Sequence, residues 1–159
     1  MSVSNLDDLY REIILDHYRS PRNRGELASP PAHRVEGFNP LCGDEITIDL
    51  VVEEGVLRDL KLSGHGCSIS QASSSLMSVA VKGKRVEDVR HAITNFKDMM
   101  LRHESALSEA ETESQITRLR ELGEIAALQG VVKFPVRIKC ATLAWNTLNQ
   151  GLDELSPER

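Results

Sequence analysis

The sequence predicts an α+β fold, a small antiparallel sheet with helices packed mainly on one of its faces. Three observations lead there. A stretch of helical periodicity opens the chain, two alternating stretches joined by a tight turn follow, and the later apolar residues recur at helical spacing. Helix, strands, then helices, with no repeat and no linker between them, read as a single layered domain over residues 1–159.

Leu6, Leu9, Tyr10, Ile13, Ile14 and His17 share one face of a first helix that ends near Tyr18, with Ser4 and Asp7 as its expected capping pair. Ser20-Pro21 and Gly25 close it. Arg19, Arg22 and Arg24 make the next loop basic, which reads either as a solvated turn or as a docking patch for an acidic partner. An extended connector over 28–33 leads to a short strand at 35–38. Ile46, Ile48, Leu50 and Val52 alternate with Thr47, Asp49 and Val51, Glu54-Gly55 turns the chain, and Leu60 and Leu62 share a face of the return strand over 56–63. Ile69, Ala72, Ser73, Leu76, Met77 and Ala80 then define a face of a helix rich in serine, suited to close packing and stopped by Gly83. Val89, Ile93, Phe96 and Met100 carry another helix over 86–102. An acidic, weakly periodic stretch at about 103–124 reads as a surface insertion. Apolar spacing returns over 119–128, Gly130 and Pro135 bracket a connector, and Ala141, Ala144, Leu148, Leu152 and Leu155 stripe a last helix with Cys140 in its first turn.

With 159 residues, 40% apolar and 27% charged, the chain can bury a core without disulfide staples. A formal net charge of −5 leaves no basic stripe for nucleic acid. No apolar run approaches the ~20 residues of a membrane span, and MSVSNLDDLYRE has neither the basic start nor the apolar stretch of a signal peptide. The expectation is a cytoplasmic protein without nucleic-acid or membrane partners. Three widely separated cysteines make a poor disulfide framework, and the cytosol keeps thiols reduced, so they read as ligands or nucleophiles.

Asn39-Pro40-Leu41-Cys42-Gly43-Asp44 places a thiol and a carboxylate on one tight loop, with Pro40 restricting the backbone and Gly43 permitting the turn. The antiparallel return carries Cys67 back toward that loop, at a helix start where backbone N–H groups favour a thiolate. With Cys140 these make three thiols and a carboxylate, the number of ligands a tetrahedral zinc site takes. Soft sulfur suits zinc or iron alike. The spacing lacks the C-x-x-C knuckle of a zinc finger, so the cysteines alone leave room for one being a small buried hydrophobe. His65 reads as a loop residue or as a ligand or base, and His17 as a core histidine or a ligand. Arg137, one turn before Cys140, is either an exposed helix-start arginine or a charge that steadies a thiolate. Lys139 reads as solvated. A cysteine hydrolase using Cys67 with His65 or His17 is an alternative that lacks a third orienting group.

Together, Asn-Pro-Leu-Cys-Gly-Asp at 39–44, Gly-His-Gly-Cys-Ser-Ile-Ser at 64–70 and Arg-Ile-Lys-Cys-Ala at 137–141 resemble the three cysteine motifs of IscU/NifU-type iron–sulfur assembly proteins. Leu-Asp-His-Tyr-Arg-Ser-Pro-Arg-Asn at 15–23 is similar to their first helix end, and the likeness covers nearly the whole chain. Lys139 stands where the IscU branch has histidine, and the acidic insertion matches an extra segment of SufU-like proteins, which places the chain nearer the SufU branch. Phe134-Pro135-Val136 matches the chaperone-binding stretch of IscU only in part, and that interaction is not carried over.

The resemblance implies a NifU-like sandwich and a zinc-dependent sulfurtransferase. Cys42, Asp44, Cys67 and Cys140 would hold Zn²⁺, and Cys42 would accept persulfide sulfur from a PLP-dependent cysteine desulfurase of the SufS type, for delivery to downstream Fe–S assembly proteins. A histidine of the desulfurase would replace the departing thiolate on the metal, and Arg137 could steady that thiolate. The alternative within the family is a scaffold on which iron or a [2Fe–2S] cluster occupies the same ligands.

Overall fold

A computed structural model describes residues 3–101, 123–133 and 135–155. Helix α1 runs Val3–Arg19. Its backbone starts one residue before Ser4, so Ser4 lies inside the first turn and is not the cap; N–H groups of that turn have no intrahelical partner whichever residue supplies them. Strands β1 (His33–Asn39), β2 (Asp44–Glu53) and β3 (Val56–His65) form one sheet in the order β1-β2-β3, antiparallel throughout. Both central residues of the β2–β3 turn have positive φ, Glu54 at 53° and Gly55 at 76°, the twist that a two-residue hairpin prefers. Helices α2 (Ser68–Val81) and α3 (Val86–Leu101) follow. A 3₁₀ segment, Gly123–Lys133, takes the place of the connector expected from Gly130, because Ile125, Leu128 and Val131 are buried at a spacing that suits that tighter coil. Helix α4 (Pro135–Leu155) opens on the proline itself, which fits the first helical position since its missing N–H would have no partner there. Cys140 is consequently the sixth residue of α4, in its second turn and not its first. The surface insertion expected at about 103–124 falls, through residue 122, outside the described residues.

Val35, Ile46, Ile48, Leu50, Leu60 and Leu62 supply the sheet's share of the core, and α2, α3 and α4 cover it. Trp145 of α4 stacks on Phe96 of α3 with ring centroids 4.3 Å apart and planes at 11°. Helix α2 is not one-faced. Ser70, Ala72, Leu76, Met77 and the serines at 73, 74, 75 and 78 are all buried, so small side chains let neighbours close in around nearly its whole girth. The hydroxyl of Ser73 is bonded on both sides: Trp145 Nε1–H donates to Ser73 Oγ at 3.0 Å, and Ser73 Oγ–H donates to the Ala141 carbonyl at 2.6 Å.

The basic loop after α1 is a clamp. Leu62 N–H donates to Asn23 O at 2.8 Å and Gly25 N–H to Leu62 O at 2.9 Å, which covers the outer edge of β3. Arg22 N–H donates to Ser75 Oγ and Asn23 Nδ2 to Ser78 Oγ, both at 2.9 Å, while the Arg22 guanidinium turns back to Asp16 at 2.6 Å. Among the described residues no helix is long and apolar enough to cross a membrane.

Candidate metal centre

Three parts of the chain converge at one end of the sheet. The carbonyl of Asn39 accepts the N–H of Cys42 (3.3 Å) and of Gly43 (2.8 Å), and its side-chain Oδ1 accepts the N–H of Leu41 at 3.2 Å. With Gly43 at φ +73°, this closes the turn that leaves Cys42 exposed and starts β2 on Asp44. Pairing of Glu45 with His65 then returns β3 to the same end. Cys67 N–H donates to Asp44 Oδ1 at 2.9 Å, and Cys67 Sγ lies 3.9 Å from Asp44 Oδ2. A Cβ on Gly66 would stand 2.7 Å from Asp44 Oδ1, so a larger residue there would displace the carboxylate. Cys67 is the N-cap of α2, and its sulfur accepts the Ser70 N–H at 3.4 Å. From α4, Cys140 brings its sulfur to 3.2 Å from that of Cys42, and Asn39 Nδ2 donates to it at 3.8 Å.

The ligand atoms of Cys42, Asp44 and Cys140 all lie within 4.8 Å of one another, with Cys67 joined to the group through Asp44. Asp44 is wholly buried, accepts one backbone N–H and has no ion-pair partner among the described residues, an arrangement that a cation would complete. Burial first, then the hydrogen bonds that its S–H donates to Cys42, Asp44 and Cys67, push the Cys140 thiol far above its usual range. A metal reverses that preference by binding the deprotonated sulfur. The donor set of soft sulfurs with one carboxylate fits zinc, and it fits iron.

The other candidates face solvent or have partners outside the four ligands. Arg137 is exposed on the first turn of α4, and among the described residues it has no hydrogen bond to Cys42, Cys67 or Cys140. Lys139 is exposed, as expected. His65 is mostly exposed and faces Glu45 at 3.6 Å. His17 is buried, with Nδ1 2.7 Å from Ser75 Oγ and Nε2 3.4 Å from Glu124 Oε1. Neither histidine is hydrogen-bonded to Cys67, so the hydrolase reading has no base. Sequence reasoning missed Asn39. Its signal was its place just before Pro40 in the loop motif, where an Asn side chain favours an Asx turn.

Residues 9–141 match the NifU-like N-terminal domain, and the chain belongs to that family of iron–sulfur cluster assembly proteins. Within the family it is similar to the zinc-dependent sulfurtransferase SufU of Bacillus subtilis (strain 168), at 44% identity over 149 residues that cover 94% of this chain and 92% of the relative. It is also similar to the iron–sulfur cluster assembly scaffold protein IscU of Streptococcus pyogenes serotype M1, 38% identical over 152 residues, with 96% and 87% covered. A crystal structure described as a scaffold protein for the SUF system, from Fervidobacterium islandicum AW-1, superposes with a TM-score of 0.74 at 32% identity, covering 89% of this chain and 94% of that one.

Proposed function

We propose that the protein is a zinc-dependent sulfur acceptor, with Cys42, Asp44, Cys67 and Cys140 as the ligands and Cys42 as the acceptor. The observation that carries this reading is the contrast between two neighbouring sulfurs. Cys140 is buried on a helix, whereas Cys42, 3.2 Å away, is exposed on a turn that can move without unwinding an element. Bound zinc holds the sulfurs as thiolates at neutral pH and shields them from adventitious chemistry. The chain's own part is to present Cys42. Its thiolate attacks the outer sulfur of a persulfide on a cysteine desulfurase, a new S–S bond forms, and the desulfurase's cysteine leaves as thiolate. The proton of the persulfide stays on the transferred sulfur, and no oxidant or reductant is consumed. In this reading a desulfurase of the SufS type is the donor, Fe–S assembly proteins are the recipients and the setting is cytoplasmic; the similarity to a zinc-dependent sulfurtransferase supports the sulfur-transfer role.

The test is desulfurase stimulation together with elemental analysis. One zinc per chain, no visible colour and stimulation lost in Cys42→Ala support the acceptor. Full stimulation by Cys42→Ala overturns that assignment. The second reading, a scaffold, is favoured by a donor set that suits iron as well and by the similarity to IscU. Brown protein that keeps iron and labile sulfide after anaerobic purification would establish it.

A further inference from the structure

Three thiolates on one ion are close to equivalent unless the protein makes them differ, and here hydrogen bonding does so. Cys67 Sγ accepts the Ser70 N–H, and Cys140 Sγ accepts the Asn39 side-chain N–H. Among the described residues the Cys42 sulfur takes no N–H and accepts only the S–H of Cys140, a contact that disappears once a metal takes the protons. An N–H directed at a metal-bound sulfur draws electron density from it and tunes the metal–sulfur bond. Asn39 can do this because it is buried and its amide is oriented: Oδ1 is held by the Leu41 N–H, which leaves Nδ2 aimed at Cys140. One residue therefore folds the turn that exposes Cys42 and donates to the sulfur beside it.

We propose that Asn39 is a positioning residue that sets which thiolate reacts: its amide oxygen and carbonyl hold the Cys42 turn, while its amide N–H quiets Cys140, leaving Cys42 to depart from the metal and take the incoming sulfur. The proposal rests on the zinc reading above. It differs from a purely structural role in requiring a bond between the amide proton and a metal-bound sulfur.

The experiment uses the intact chain with zinc, cobalt(II) and a magnetically active cadmium isotope as probes. In the wild-type protein loaded with that cadmium, the Asn39 side-chain amide proton should show scalar coupling to the metal through N–H···S. Asn39→Ser keeps a hydroxyl acceptor for the turn and removes the N–H; Asn39→Ala removes both. In Asn39→Ser the sulfur-to-cobalt charge-transfer band should move to lower energy, metal affinity should fall about tenfold, and Cys140's share of persulfide after desulfurase turnover should rise about tenfold. An assigned Asn39 amide proton without coupling, or a band and a persulfide partition that Asn39→Ser leaves unmoved, overturns the proposal. The coupling is measured on the unmodified chain, so a variant that fails to fold does not decide the matter. If the wild-type protein binds none of the three metals stoichiometrically, the zinc reading falls and this proposal with it. If metal is bound and coupling is absent, the proposal alone falls.

Discussion

Asp49 and Asp44 are both buried on β2, and the chain treats them in opposite ways. Asp49 receives a forked guanidinium from Arg34, with Nε at 2.7 Å and Nη2 at 3.0 Å, and the Leu27 N–H at 2.9 Å. Asp44 receives one N–H and is surrounded by sulfur. Asp49→Ala should therefore destabilise the fold by about 2 kcal/mol, read from urea unfolding, because it strands two partners. The Arg34 hydrogen bonds hold the Asp49 carboxyl below its ordinary value of 3.8. Its stabilising contribution is thus complete above that value and fades as pH falls through the folded-state value, and Asp49→Asn should flatten that part of the stability profile. Asp44→Asn should do the reverse of Asp49→Ala. The amide still accepts the Cys67 N–H, so the metal-free variant should be no less stable than the metal-free parent. Its zinc affinity, measured by competition with a chromophoric chelator, should fall by more than about a hundredfold, beyond the loss seen for residues that only support a ligand.

Helix α2 draws the helices together through its hydroxyls, with Ser73 meeting α4, Ser75 meeting His17 of α1, and Ser78 meeting the loop after it. Trp145→Phe would keep the ring on Phe96 but lose the N–H bond to Ser73, a cost of about 1 kcal/mol by thermal or urea unfolding. Burial, reinforced by the nearby Arg22 charge, holds the His17 imidazole below its ordinary 6.5. On acidification the unfolded chain takes up that proton first. Stability should therefore decline as pH drops below about 6.5 and level off below the folded-state value, and His17→Gln should reduce the slope between pH 7 and 5. The β2–β3 hairpin was legible because alternation reports a half-buried strand directly, and the antiparallel return was enough to bring Cys67 to Asp44. Residues 15–25 were harder. Their periodicity marks a helix end, but nothing local says that Asn23 and Gly25 will pair with Leu62 or that the Arg22 backbone N–H will reach Ser75. A proline marks a stop and a start equally well, so Pro135 alone does not distinguish the end of a connector from the first residue of α4, and the turn on which Cys140 falls depends on that difference.

Residues 42, 67 and 140 lie far apart in the chain, so an ion shared between them would tie the β1–β2 turn, the start of α2 and α4 into one unit. With free metal about a thousandfold above its dissociation constant, linkage adds about 4 kcal/mol to unfolding. For a chain of this length that corresponds to a fall in Tm of roughly 10 °C on chelation, seen by calorimetry and much reduced in Cys42→Ala. Fold class was readable because each layer has its own hydrophobic period. The 3₁₀ segment left a trace as well, in Ile125, Leu128 and Val131 spaced by three, though without the sheet and helices around it that spacing is too short a sample to interpret. The hairpin has a less visible consequence. Its strands are ten residues each, so the Glu54-Gly55 reversal sits about 30 Å from the place where Asp44 and Cys67 meet. A two-residue slip at that reversal would leave Ile46, Ile48 and Leu50 facing inward, yet carry Asp44 about 7 Å out of step with Cys67. Such a chain would look native by circular dichroism and still have nowhere to lodge an ion. The distant reversal acts as the zero mark of the ruler against which the ligands are spaced.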